Sequence, residues 1–158
     1  MAVVTAEFEV TSSLPAPTLF KAFNDFDTIA PKAEPETYKA VKIIQGDGGV
    51  GTIKSITYGD ALPFTSSKHK VDFVDTTNFS FGYTIFEGDV LMGIIESGTH
   101  NLKFLPSADG GSVYKHSMVF KCKGDAKLSE DNVSQMKEGL KKTFKAIEAY
   151  AIAHSEAY

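Results

Sequence analysis

The sequence predicts an α+β fold in which an antiparallel sheet of sequential strands is covered by one long C-terminal helix. Three observations carry this. The segment from Ser129 onward has a helical apolar period; Tyr38 to Cys122 alternates in short runs with turn signals between them; no linker, repeat or low-complexity segment interrupts the 158 residues. A single domain spanning 1–158 follows, long enough to bury a substantial core.

At the start, Val3 to Thr11 alternates as a strand, with Ala6, Phe8 and Val10 on one face and Thr5, Glu7 and Glu9 on the other. Pro15 and Pro17 suit the first turn of a helix whose apolar face is Leu19, Phe20 and Phe23. Asn24 to Asp27 breaks that helix. Asp27 or Thr28 is expected to cap a second short helix toward Glu34, with Pro31 in its first turn or so and Pro35 limiting it. Strands are then expected at Tyr38 to Ile44, Thr52 to Tyr58, Ser66 to Val74, Phe79 to Phe86, Ile94 to Leu105 and Ser112 to Cys122. The turns between them are short, so sequence neighbours pair.

In the final helix, Ser129 is a natural N-cap, and Glu130 and Asp131 follow where the helix dipole favours negative charge. Val133, Met136, Leu140, Phe144, Ile147 and Tyr150 recur at steps of three or four, and lysines and glutamates fill the other face. From Ser129 to about His154 such a helix is roughly 37 Å long. It is too long to be solvated all round and too sparse in apolar residues to be buried all round, so it must lie on the sheet. Gly139 costs about 1 kcal/mol against alanine in a helix interior. It reads as room for a ligand, as a soft point in a lid, or equally as a tolerated surface glycine.

Composition removes several function classes. A net charge of −4 and a pI near 5.5 argue against nucleic acid as the main partner. No secretory leader pattern and no apolar run of about 18 residues occurs, so no membrane partner is expected. The single cysteine, Cys122, excludes an intramolecular disulfide and points to a reducing, cytoplasmic setting. The chain is expected to be a monomer.

Alternation also marks the inner face of the sheet. Ser67, His69, Val71 and Phe73 share one face, as do Phe79, Phe81, Tyr83 and Ile85; then Ile94, Gly98, His100, Leu102 and Phe104; then Tyr114, His116, Met118 and Phe120. That face is aromatic and seeded with histidines and hydroxyls, unlike a dry core of Val, Ile and Leu. The turns set His100 opposite, or one pair from, His116, bring His69 near Tyr83, and put Tyr83 near His100, allowing for bulges. The expectation is a polar row, His69–Tyr83–His100–His116, across four strands. Its groups need partners in each other, in water or in a ligand.

Several segments in order, over the whole chain, resemble the major birch-pollen allergen and related class-10 pathogenesis-related proteins of plants. They are Pro15 to Phe23, the glycine-rich loop Gly46 to Gly51 with Thr52-Ile53-Lys54, Phe86-Glu87-Gly88-Asp89, Asp109-Gly110-Gly111-Ser112, Lys123-Gly124-Asp125 and Ala146-Ile147-Glu148-Ala149-Tyr150. The resemblance implies a START-like helix-grip fold: seven strongly curved antiparallel strands around the long helix, two short helices under its far end, and a large internal cavity. It also implies a cytosolic plant defence protein that stores or carries flavonoids, cytokinins, steroid-like or alkaloid-like ligands. Asn24 to Asp27 is one residue shorter than is common in that family, Gln45 stands where a glutamate is common, and the histidine set 69, 100 and 116 departs from its usual pattern.

The expected ligand contacts are Ile56, Tyr58, Phe64, Phe81, Leu102 and Met118 for apolar burial, with Met136, Gly139 and Leu140 from the helix. His69, Tyr83, His100 and His116 would orient the ligand. No cofactor and no metal are expected. Zinc needs ligands converging at about 2.1 Å, and His69 lies two strands, roughly 10 Å, from His100.

The loop Gly46-x-Gly48-Gly49-x-Gly51 stands between two strands. It lacks the following helix of a dinucleotide fingerprint and the Gly-Lys-Ser/Thr of a phosphate-binding loop. It reads as a tight turn needing positive φ, with anion binding by its amides as the alternative.

Alternative functions stay open. Ribonuclease activity reported for relatives would map to Lys54, Glu96, Glu148 and Tyr150. A condensation or isomerisation enzyme of specialised metabolism would use a lysine, a carboxylate and a tyrosine in the cavity; Tyr83 and His100 could move protons, and Lys54 and Lys137 are the candidate lysines, expected near its ends. An abscisic-acid-type receptor acting on a phosphatase would need mobile gate and latch loops, for which Gly59 to Pro63 and Glu87 to Met92 are no convincing counterpart.

Overall fold

The computed structural model describes residues 2–158. Its elements are β1 (Val3–Ser12), α1 (Ala16–Asn24), α2 (Phe26–Ala33), β2 (Tyr38–Gln45), β3 (Ile53–Tyr58), β4 (Ser66–Asp75), β5 (Ser80–Glu87), a 3-10 turn at Asp89–Leu91, β6 (Ile95–Pro106), β7 (Ser112–Cys122) and α3 (Glu130–Ala153). The strands form one antiparallel sheet in the order β1-β7-β6-β5-β4-β3-β2. Consecutive strands from β2 to β7 pair as short turns require, and β1 closes against β7. The short helices α1 and α2 carry the chain from one sheet edge to the other. With α3 against the concave face, this is the helix-grip fold the resemblance implies.

The long helix begins where its cap residue predicts. The Ser129 hydroxyl accepts from the Asn132 amide, and Glu130 and Asp131 occupy the first turn. Its apolar face then divides. Phe144, Ile147 and Ala151 are fully buried against α1 and the sheet, whereas Val133, Met136 and Leu140 are only partly covered. Phe144 stacks on Tyr114 with ring centroids 4.6 Å apart and on Phe23 at 5.7 Å. Full burial of such side chains stabilises the fold by about 1.5–3 kcal/mol each. The C-terminal half of α3 therefore closes a core, and its N-terminal half roofs a cavity.

Four local expectations are corrected. The second short helix starts at Phe26 after Asp25, whose carbonyl accepts from Thr28 and Ile29, so Pro31 lies in the helix interior and not in its first turn. Asp27 does not cap; its carboxylate is used by Lys54. A register shift between Val71 and Phe73 turns Phe73 to the outer face, where it covers Gly82, and brings Val74 to the cavity wall. A second shift, between Ile95 and Ser97, buries Ile95 where the alternation pointed to Ile94. Each bulge inserts one residue, which exchanges the faces of the residues beyond it.

Candidate functional site

Between the concave sheet and the N-terminal half of α3 lies a cavity of about 380 Å³, within the ordinary range for small-molecule pockets. Aliphatic and aromatic groups make up most of its wall. Of the sequence-predicted contacts, Ile56, Tyr58, Phe64, His69, Phe81, Tyr83, His100, Leu102, His116, Met136, Gly139 and Leu140 all line it. Met118 does not. It is 1 % exposed, sealed in the main core beneath α3, and alternation alone could not separate a packed inner-face residue from a cavity-facing one. At Gly139 an added Cβ would meet no atom within 4 Å.

The polar row is present and more tightly organised than strand spacing alone predicts. Tyr83 pairs directly across from His100, and their rings stack at 4.9 Å with an interplanar angle of 8°. His69 stacks on the other face of Tyr83 at 5.0 Å and 5° as its diagonal cross-strand neighbour, its direct strand partner being Ile85. His100 Nδ1 lies 2.8 Å from His116 Nε2. His116 Nδ1 in turn hydrogen-bonds the Tyr114 hydroxyl. At the opposite end, His69 Nε2 is 2.9 Å from Ser67 Oγ, which is 2.7 Å from the Tyr58 hydroxyl. Two hydrogen-bonded chains thus flank one stacked tyrosine.

Among the described residues no sealed side-chain polar atom lacks a partner. Among the described residues His100 Nε2 and the Tyr83 hydroxyl have no hydrogen-bond partner, so they reach open space on the cavity wall. The row is uncharged at neutral pH. Burial pushes the His69 imidazole down to about 3, helped by His100 and Lys54, and pushes His100 down to about 4. Burial, with His100 beside it, holds His116 well below the usual histidine range. Burial likewise raises the Tyr83 and Tyr114 phenols, so both stay protonated.

A second polar chain lies under α3. Thr143 Oγ1 donates to Glu34 Oε1 at 2.7 Å and is 3.0 Å from the Tyr38 hydroxyl, all three residues being buried. Sequence reasoning missed this chain, and also the parts of Ser67 and Tyr114 in the row. The available signal was the i, i+2 spacing that puts Ser67 with His69, and Tyr114 with His116, on one strand face.

Two connections that border the cavity are tied together. Asp89 accepts hydrogen bonds from the amides of Thr65 and Ser66 and from the Thr65 hydroxyl, joining the β3–β4 connection to the β5–β6 connection. Leu62, Pro63, Phe64, Val90, Leu91 and Met92, from these two connections, line the cavity.

The remaining candidates are dispersed. Lys54 lines the cavity and pairs with Asp27 at 2.9 Å. Glu96 is exposed at the start of β6, Glu148 pairs with Lys145 at 3.4 Å along α3, and Tyr150 stacks on His154 at 4.0 Å. None of these three lines the cavity, so they do not converge with Lys54. In the glycine-rich loop, Gly46, Gly48 and Gly51 have positive φ, and a Cβ at Gly46 would stand 2.7 Å from Thr52 Oγ1. Gly49 has ordinary φ. The loop uses its own amides: Gly48 donates to Thr52 Oγ1, Gly49 to Asp47, and Gly51 to the Val71 carbonyl. Three of the loop's glycine amides are thus engaged within the protein.

Comparison with known proteins places this geometry among relatives. The model of the pathogenesis-related protein Bet v 1 family matches residues 1–154. The chain is 79% identical over 156 residues to a root allergen protein of Taraxacum officinale, covering 98% of this chain and 99% of that one. The crystal structure of Ara h 8.0201 superposes with a TM-score of 0.86 at 36% identity, covering 96% of this chain and 99% of the other. Norcoclaurine synthase from Thalictrum flavum, solved with dopamine and hydroxybenzaldehyde, shares the fold with a TM-score of 0.75 at 20% identity, covering 97% and 88%.

Proposed function

Because the chain belongs to the pathogenesis-related protein Bet v 1 family, we propose that it binds and carries small, neutral, amphipathic plant metabolites in the cavity under α3. The observation that carries this reading is the wall itself: about 380 Å³ of mainly apolar space crossed by uncharged imidazoles and a tyrosine hydroxyl. Apolar surface supplies affinity in such a pocket, and a few fixed polar groups orient the ligand. A flavonoid, cytokinin or steroid-like molecule has the matching character, a flat or compact apolar body with a few hydroxyl or carbonyl groups. The protein then acts as a cytosolic store or carrier and works as a monomer. The test is displacement of a hydrophobic fluorophore by hydroxylated aromatic ligands, in the unaltered protein and in His100→Leu with His116→Leu. Unchanged affinity for every such ligand in the double variant would remove the orienting role of the row.

One observation favours a second reading. Lys54, Asp27 and Tyr83 all line the same cavity, giving it an amine, a carboxylate and a phenol. A condensation enzyme needs groups of this kind to form and break a carbon–nitrogen bond. The Lys54–Asp27 ion pair occupies the lysine in the free protein, which ranks this reading below the carrier. Turnover that survives repurification and disappears in Tyr83→Phe would reverse that ranking.

A further inference from the structure

The hydrogen-bonded chain that ends at His100 has a direction, and the direction is set from its buried end. Tyr114 is 1 % exposed, and its ring is clamped by Phe104 at 5.4 Å and Phe144 at 4.6 Å, both stacked on it. Its hydroxyl has one partner among the described residues, His116 Nδ1. A buried hydroxyl with a single partner donates to it, because otherwise its hydrogen is left without an acceptor. If Tyr114 donates, His116 Nδ1 is bare and its proton sits on Nε2. That proton points at His100 Nδ1, 2.8 Å away. His100 Nδ1 is then the acceptor, and its own proton is on Nε2, the nitrogen that faces the cavity. In the reverse arrangement His100 Nε2 would be bare and the Tyr114 hydrogen orphaned. An orphaned buried donor disfavours that arrangement by about five- to 150-fold.

We propose that the Tyr114–His116–His100 chain fixes His100 Nε2–H as a hydrogen-bond donor into the cavity, so that the ligand group seated there is a hydrogen-bond acceptor. A carbonyl oxygen, an ether oxygen or an unprotonated ring nitrogen meets this requirement; an ammonium group does not. The inference rests on the cavity being the binding site. Tyr114 is among the residues that line the cavity, but it is 1 % exposed and its ring is clamped, so the chain orients a proton and does not conduct one to solvent. Phe8, stacked on the His116 ring at 5.1 Å, restrains the middle member. The histidines thus select ligands by hydrogen-bond polarity as well as by shape.

Two measurements test this. Long-range proton–nitrogen correlation NMR on the ligand-free protein reads each imidazole's tautomer directly. His100 and His116 are both expected with the proton on Nε2 and a bare Nδ1; a bare Nε2 on His100 would overturn the proposal. The second measurement displaces bound anilinonaphthalene sulfonate with para-hydroxybenzophenone and with para-benzylphenol, which differ only in a carbonyl replaced by a methylene. The ketone is expected to bind about three- to tenfold more tightly, with the ratio falling toward one in Tyr114→Phe as the direction of the chain is released. Equal affinities in the unaltered protein would overturn the polarity while leaving the cavity as the site. Failure of the fluorophore and both phenols to bind would overturn both.

Discussion

Lowering the pH from 8 to 5 is expected to destabilise the protein through its buried imidazoles before its carboxylates titrate. His69 and His100 are held near 3 and 4 in the folded protein against 6.5 for a free imidazole. Below 6.5 the unfolded chain takes up protons that the folded chain refuses, so stability falls as the pH falls. It is fully present above 6.5 and is lost progressively down to the folded values. By pH 5 each of the two histidines has cost about 2 kcal/mol. Together that is about 4 kcal/mol, against a total of about 5–15 kcal/mol for a typical domain. His116 acts in the same direction. Asp75, Asp89 and Asp109 are held below the usual range, chiefly by Asn78, the Ser66 amide and Ser107 respectively. Their contribution is present above about pH 4 and lost only below it, so the two windows separate. The assay is urea unfolding at half-unit steps of pH. His69→Gln and His100→Gln, which do not titrate, are each expected to remove about 2 kcal/mol of the fall between pH 8 and 5. A stability constant to within about 1 kcal/mol from pH 8 to 5 would refute the argument.

The two halves of α3 should respond differently to truncation: Ile147→Ala, at a fully buried position, is expected to cost about 2–5 kcal/mol. Met136→Ala, on the cavity wall, is expected to cost less than 1 kcal/mol in urea unfolding while enlarging the cavity. Gly139→Ala adds a Cβ that meets nothing and should raise stability by up to about 1 kcal/mol; a loss would mean that the glycine is needed for a conformation other than helix. Hydrogen exchange around Gly139 should be faster in the free protein and slowed by ligand. Asp89→Ala releases the hydrogen bonds that tie the β3–β4 and β5–β6 connections, so the Thr65 and Ser66 amides should exchange faster and bound fluorophore should leave faster. Unchanged exchange there would show that the loops are held by other contacts.

Much of this architecture was legible in the sequence because it rests on periodicity. The 3.6-residue recurrence from Val133 to Tyr150 fixed the face of α3, and the alternation around His69, Tyr83, His100 and His116 fixed the row. Bulges are not legible this way. The shifts at Val71–Phe73 and Ile95–Ser97 follow from sheet curvature, which no pair of adjacent residues encodes. The division of α3 into a sealed half and a roofing half was equally hidden, since Met136 and Phe144 stand on the same face in the helical repeat. What separates them is Phe23 and Tyr114 arriving from α1 and β7. The Glu34–Thr143–Tyr38 chain joins residues more than a hundred positions apart in sequence, beyond the reach of local patterning. Asp27 looked like a helix cap because capping is its commonest local role; Lys54, from a distant strand, claimed it instead.

Binding in the cavity under α3 is tested most directly by titrating isotopically labelled protein with anilinonaphthalene sulfonate and following backbone amide and imidazole signals by NMR. Saturable shifts are expected to concentrate at Ile56, Tyr83, His100, Met136 and Leu140, with Ile147 and Ala151 little affected. Saturable binding whose shifts fall instead on the exposed apolar residues Ile43, Ile44 and Val50 around the β2–β3 turn would contradict cavity binding.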